Sequence, residues 1–214
     1  MDKKIDRRMA WPKGYEPKDK PVDDFAIRLG LISNILKEKP AKKLNTDIFN
    51  VMATRRSTRR FSKNPVEMWK IDKILAAADT APTAGNFQGF EIFYIRDNAK
   101  KDSLVNAANN QPYVNTPVVL VFCMNPDRIK LDFSKEVISK FSIQDSTLAA
   151  AYSQLAASAL GLSSIWIGMF DESKVKKIIG TKLRPTSILC IGYPVKKRPP
   201  KSRRQLKELI HVVD

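Results

Sequence analysis

Residues 118–124 read VVLVFCM, seven apolar side chains in succession, bounded by Pro117 and by Asn125-Pro126. A strand with one face in water alternates polar and apolar residues. A run that is apolar on both faces needs cover above and below, so this stretch reads as the central strand of a sheet held between two layers. Upstream, residues 90–96, FEIFYIR, alternate and are rich in aromatic and β-branched residues, which predicts a neighbouring strand. Downstream, an alanine-rich helix over 145–160 ends at Gly161 in the left-handed role glycine often takes there. Strands at 164–167 and 187–193 and helices at 100–108 and 172–179 complete an α+β layered domain. Asp47 or Thr46 caps a helix that runs through Ile48, Phe49, Val51 and Met52 towards residues 55–61, RRSTRRF. Pro65 opens a further helix and Pro82 closes it. Residues 1–46 read as an N-terminal extension: charges and prolines to about residue 22, then one amphipathic helix, FAIRLGLISNILKEK, stopped by Pro40.

Composition narrows the chemistry. A chain of 214 residues with 43% hydrophobic content can bury one sizeable core, so 47–214 is expected to be a single domain. The 38 Lys+Arg against 22 Asp+Glu give a net charge of +16, which favours anionic partners: nucleic acid, a phosphate-bearing cofactor or an acidic substrate. Cys123 and Cys190 lie inside apolar runs and read as buried thiols. His211 is the single histidine, so a histidine triad or a multi-histidine metal site is not expected. The charged N-terminus has no apolar signal core, which makes the cytoplasm the expected compartment. Residues 146–170 are 25 in a row without a charge, but several serines and Gly161 interrupt them. They read as a buried helix and strand rather than a membrane span.

No GxGxxG fingerprint, GxxxxGK[ST] loop or GxSxG elbow is present. What remains is RRSTRRF at a helix end, the small-residue loop APTAGNFQGF (81–90) entering a strand, WIGMF after an apolar strand, and a second cationic group, PPKSRR (199–204). Taken alone, RRSTRRF is a solvated charge run, a nucleic-acid patch or an anion pocket. Two separated cationic groups with interposed hydroxyls suit a phosphate held by guanidiniums, and the amide-bearing loop suits the edge of a flat heterocycle.

The same segments, RRSTRRF, APTAGNFQGFEIFYI, NAANNQPYVNTPVVLVFC, GLSSIWIGMFD, LCIGYP and PKSRRQLKELIH, occur in an order that resembles the FMN-dependent nitroreductase superfamily over residues 47–211. The resemblance implies a three-layer α+β fold, a central, mostly antiparallel sheet flanked by helices, in an intertwined homodimer with two equivalent FMN sites. It implies that Arg55, Arg56 and Ser57, with Lys201 and Arg203, bind the cofactor at its phosphate, and that Arg59 lies beside the pyrimidine edge of the flavin. Pro82, Thr83, Ala84, Asn86 and Gln88 match the loop that reaches the flavin of the other subunit. Gly89-Phe90 stand where family members often have Pro-Trp. Asn115 matches the asparagine facing the ring, with Gln111 the alternative. Gly168 and Met169 match the backbone that approaches flavin N5, and some relatives carry glutamate at the Gly168 position.

The activity so implied is that of an NAD(P)H oxidoreductase of nitroreductase type. Hydride passes from NADH or NADPH through flavin N5 to a small nitroaromatic or quinone acceptor in a ping-pong cycle, with no protein nucleophile or metal. Related activities on the same scaffold, namely dehalogenation, enone or aldehyde reduction and flavin cleavage, are the alternatives. A lid over residues 125–142 is expected to decide among them. A basic nucleic-acid-binding module is the non-enzymatic alternative, although neither nucleic acid nor a membrane is an expected partner.

Overall fold

The structure, a computed structural model, describes residues 47–199 and 201–213. The expected extension helix within 1–46 lies outside the described residues. Within them, helices α1 (Ile48–Thr54) and α2 (Met68–Asp79) precede strand β1 (Phe90–Ile95). Helix α3 (Asn98–Ala107), strand β2 (Val118–Met124), helix α4 (Lys135–Ala159), strand β3 (Ser163–Ile167), helix α5 (Glu172–Ile179) and strand β4 (Arg184–Gly192) follow. The sheet has the order β1-β2-β4-β3 and every strand pairing in it is antiparallel.

The run at 118–124 is the central strand its sequence predicts, and all seven of its residues are buried. Its alternate side chains enter two different cores. Val118, Leu120 and Phe122 join Ile71, Ile74, Ala149 and Ala157 from α2 and α4. Val119, Val121 and Cys123 join Leu104, Ala107 and Val175 from α3 and α5 on the opposite face. A two-residue period thus feeds both layers at once, which is why the run shows no alternation in hydropathy.

Three element starts differ from the sequence-based expectation by three residues or more. Helix α2 starts at Met68, not at Pro65, because Glu67 keeps an extended backbone while its carboxylate accepts from the Tyr193 hydroxyl at 2.6 Å and pairs with Lys70 at 3.3 Å. Helix α4 begins ten residues earlier than the expected 145, at Lys135, capped by the Ser134 hydroxyl, which accepts from the Val137 amide. The expected lid over 125–142 is therefore partly helical. It is a short 3-10 turn, Pro126–Arg128, then buried Ile129 and Leu131, then the first turns of α4. Strand β4 starts at Arg184 and tolerates Pro185 because the register slips between Phe122 and Cys123. The residue left over, Thr186, donates its hydroxyl to the Phe122 carbonyl at 3.1 Å, which replaces the missing ladder bond.

No helix among the described residues is long and apolar enough to cross a membrane. The uncharged run 146–170 resolves into the second half of α4, the turn at Gly161 (φ +78°) and β3.

Candidate functional site

Helix α1 is started by the Asp47 carboxylate, which accepts from the amides of Phe49 and Asn50 at 3.0 and 3.3 Å. It ends at Arg55, where the backbone turns extended. The chain then follows the outer edge of β3. Ser57 pairs in parallel with Ser164, and the Thr58 amide donates to the Ser164 carbonyl at 2.9 Å. Thr58 points inward and is buried, while Ser57 and Arg59 are exposed and Arg55 and Arg56 half-buried. The period of an extended chain thus turns RRSTRRF into an arm with one anchored hydroxyl and cations on its open side.

The C-terminal tail returns to this arm. The Arg56 guanidinium donates to the Pro199 carbonyl at 2.6 Å, across 143 positions of sequence. Burial, and then the charge of Arg203, hold the Arg55 pKa below its ordinary value. Lys201 and Arg203 are exposed on the same tail. Among the described residues no ion pair joins Arg55, Arg59, Lys201 or Arg203 to a carboxylate. Like charges gathered without a counterion favour an anion between them, and guanidinium forks match the oxygens of a phosphate. The chemistry of this donor set fits a phosphate-bearing cofactor.

The loop before β1 is held in a specific shape. Gly85, Asn86 and Gln88 all have positive φ, at +57°, +62° and +47°. The Thr83 hydroxyl accepts from both the backbone amide and the Nε2 of Gln88 at 3.2 Å, and Gln88 Nε2 also reaches the Asn86 side-chain oxygen at 3.0 Å. Beneath the loop sits Asp145 of α4, 2% exposed, which accepts from the amides of Ala84 at 2.9 Å and Gly89 at 3.0 Å. Burial raises the pKa of this carboxyl, and those two amides oppose the rise. Ser142, one turn earlier, donates to the Gly89 carbonyl at 2.5 Å. Pro82 is exposed, and Thr83 and Ala84 are half-buried.

This anchoring also explains Gly89. A Cβ there would lie 2.6 and 2.8 Å from Ile129 side-chain carbons and 3.0 Å from Asp145 Oδ2. Gly89→Ala is expected to destabilise the protein by about 1–3 kcal/mol through this overpacking. Chemical denaturation measures it, and an unchanged midpoint would show that the connection after β2 yields freely.

Gly168 and Met169 follow the last residue of β3, and both are exposed, Met169 to 74%. Gly168 is four residues beyond Ser164, so along a strand the 168 backbone stands about 13 Å from the arm's serine. A Cβ at Gly168 would meet nothing nearer than Trp166 Nε1 at 3.9 Å, so packing does not require glycine there. The antiparallel register puts the start of β1 and the end of β3 at the same end of the sheet but on its two outermost strands, about 14 Å apart by strand spacing. Within one chain, therefore, residues 82–88 are not brought to the arginine arm.

At the opposite end of the sheet, Arg59 and Asn115 line one open cleft of 1110 Å³. The Arg59 guanidinium lies 5.7 Å above the centre of the Tyr113 ring, and Asn115 Nδ2 donates to Asp102 at 2.5 Å. Gln111, the alternative to Asn115, is committed internally: it donates to the Ala108 carbonyl at 2.7 Å and accepts from the Tyr113 hydroxyl. The turn just before it, Asn109-Asn110 with both φ values at +56°, is tied towards the Gly168 loop, because the Asp171 amide donates to the Ala107 carbonyl at 2.8 Å.

Sequence reading missed Asp145 and Lys101. Asp145 carried a signal of burial, as the last charge before the uncharged run 146–170, which begins on α4. Lys101 is 6% exposed and sits among other lysines, which hid it. Burial pushes the Cys123 thiol up to about 12 and raises Cys190 as well, so both behave as the inert thiols their context predicts. No group of potential metal ligands occurs among the described residues.

Comparison with known proteins gives a consistent result. Residues 52–193 match the Nitroreductase family. The chain is 26% identical over 181 residues to the FMN reductase (NAD(P)H) of Bacillus subtilis, covering 77% of this chain and 73% of that protein. It is 27% identical over 181 residues to the NADPH-flavin oxidoreductase of Vibrio harveyi, covering 78% and 74%. Among solved structures, the NfrA1 nitroreductase of B. subtilis superposes with a TM-score of 0.71 at 26% identity, covering 77% of this chain and 73% of that one.

Proposed function

The chain belongs to the nitroreductase family, and from that premise we propose that it is an FMN-dependent NAD(P)H oxidoreductase acting on small electron-poor acceptors such as nitroaromatics or quinones. The observation that carries the reading is the contact between arm and tail, the Arg56 guanidinium on the Pro199 carbonyl at 2.6 Å, which brings together two cationic segments 143 positions apart in sequence. Arg55, Arg56, Ser57, Lys201 and Arg203 would hold the FMN phosphate. When bound, the flavin supplies hydride chemistry, so no protein nucleophile is needed.

The roles of the chain's own residues follow. Arg59 supplies a fixed positive charge at the pyrimidine edge. Gly168 and Met169 present backbone to the ring, and Gly168 leaves space over it. Pro82, Thr83, Ala84, Asn86 and Gln88 would complete the site of a second copy, since in their own chain they stand on the far edge of the sheet. Apolar side chains exposed on α1 and α4, namely Ile48, Phe49, Met52, Leu148 and Tyr152, supply a surface suited to such a homodimer. Residues 47–214 carry this activity, with 1–46 as an addition to it.

Purified protein tests the reading directly. It should be yellow, release FMN on denaturation, sediment as a dimer and lose its visible absorbance with NADH or NADPH under anaerobic conditions. Colourless protein that cannot be reconstituted with FMN overturns it; if such protein binds DNA with a steep salt dependence, the nucleic-acid alternative takes its place. Arg59→Ala should shift the flavin potential to more negative values. An exposed cation contributes about 1 kcal/mol, which for a two-electron couple is roughly 20 mV. A potentiometric titration superimposable on wild type would remove the role given to Arg59.

A further inference from the structure

We propose that the cleft crossed by residues 59–68 binds the acidic group of an organic substrate, a phosphate or carboxylate on a molecule that also carries a flat ring, and holds that substrate beside the flavin. This rests on the flavin reading of Arg59. The segment crosses the end of the sheet where β1 finishes and β2 begins, tied down by the Ser62 amide on the Tyr193 carbonyl at 2.8 Å and the Val195 amide on the Arg60 carbonyl at 3.1 Å. Beneath it the cleft of 1110 Å³ is large enough for a nucleotide-sized ligand.

Its charge is one-sided. Arg59, Arg60, Lys63, Arg96 and Lys101 all line it, and the single carboxylate, Asp102, already accepts from Asn115. Among the described residues Arg60, Lys63 and Arg96 form no ion pair. Lys101 is the more telling group. It is 6% exposed, its ammonium donates to the Pro117 carbonyl at 3.0 Å, and no carboxylate pairs with it among the described residues. A buried ammonium ordinarily has a counterion, because desolvating it alone is costly. Burial does lower the Lys101 pKa, the direction expected of a cation short of a counterion. An entering anion would supply the missing partner.

The remaining walls suit a ring. Tyr94, Tyr113 and Phe61 offer aromatic faces, with Val66, Ile71 and Val118 apolar beside them. Arg59, stacked over Tyr113, belongs both to this cleft and to the proposed flavin edge, so a ligand here lies next to the redox centre. Two substrates of the proposed reaction carry the required chemistry: the adenosine 2′-phosphate that distinguishes NADPH from NADH, and the acidic group of an aromatic acceptor.

The test uses FMN-loaded protein, wild type against an Arg60→Ala/Lys63→Ala double variant and against Arg96→Ala. One arm compares NADPH with NADH at a fixed neutral acceptor. The other compares 4-nitrobenzoate with 4-nitrobenzamide at fixed NADH. Removing charged donors should lower kcat/KM for the anionic member of one pair by about tenfold or more. Its partner substrate should change less than about twofold, with flavin content unchanged, and the pair that responds identifies the ligand. Equal losses for both members of each pair, or no loss in any, overturn the proposal. Absence of flavin from wild type would be a failure of the oxidoreductase reading instead. Calorimetric titration of 4-nitrobenzoate against 4-nitrobenzamide then decides the cleft alone, and equal affinities sink it.

Discussion

Arg203→Ala is expected to lose FMN during purification while its flavin-free form unfolds at a higher temperature than flavin-free wild type. The two effects have one cause. In the flavin-free protein Arg203 and Arg55 repel each other, and that repulsion helps to hold the Arg55 pKa down. Deleting exposed Arg203 relieves it without removing a packed side chain, so the flavin-free fold should gain slightly in stability. With phosphate present the same cations become donors of charge-assisted hydrogen bonds worth about 1.5–3 kcal/mol each, so each deletion should raise the FMN dissociation constant roughly ten- to a hundredfold. Ser57→Ala removes one uncharged donor and should cost less. Saturating FMN should therefore raise the melting temperature of wild type by more than that of Arg55→Ala or Arg203→Ala. Fluorimetric titration with FMN, paired with thermal unfolding, reads both signs. Unchanged affinity in Arg203→Ala and Ser57→Ala would remove the phosphate assignment.

Asp145→Ala should be strongly damaging although it lies outside the apolar cores. The carboxylate satisfies the amides of Ala84 and Gly89 from a position 2% exposed. An unpaired buried amide costs about 1–3 kcal/mol, so the variant should lose about 2–6 kcal/mol and free the loop between those residues for proteolysis. Asp145→Asn keeps one acceptor but turns an amide group towards a backbone N–H, and should fall between. The pH dependence carries its own sign. Burial raises the folded pKa above the unfolded one, so between the two values the folded state binds more protons and stability falls as pH rises. The advantage of wild type over Asp145→Asn should thus be largest in acid and shrink as pH climbs from the ordinary aspartate pKa to the raised one. An advantage that grows over that interval would mean the two amides outweigh desolvation.

The parts of the fold legible in the sequence are those set by near neighbours. The central strand at 118–124 declared itself because both of its faces need apolar contacts. The α5 boundary could be read from Asp171, whose carboxylate accepts from the Lys174 amide at 3.0 Å, and from Gly180 in the left-handed conformation. The arginine arm was found as a composition and a resemblance, and the structure adds how it is held: by Ser164 and Pro199, 107 and 143 positions away. Asp145 escaped notice for the same reason: the charge-free run after it marks burial, but its partners lie 61 and 56 residues upstream, and nothing local says that the carboxylate serves them. The start of α4 was misjudged because Lys135, Glu136 and Lys140 make its first turns look like a surface loop, although a charged first turn is ordinary where a helix emerges into solvent. The ambiguity at Asn115 and Gln111 reflects a turn whose two left-handed asparagines decide which side chain faces outward, a backbone property that residue types leave open.

The pairing of Ser57 with Ser164 has a consequence for solubility. Strand β3 ends the sheet, and an uncovered terminal strand offers its free amides and carbonyls to any other chain, a route to edge-to-edge aggregation. Here the segment that carries the cations lies along part of that strand, occupies the Ser164 carbonyl and sets Arg55, Arg56, Arg59 and Arg60 around the join. Lateral growth of the sheet is thereby met by both a backbone plug and a repulsive fringe. Neutralising the arm would weaken that guard, so charge-deleted variants should be handled dilute and checked by light scattering before any loss of activity is ascribed to the cofactor.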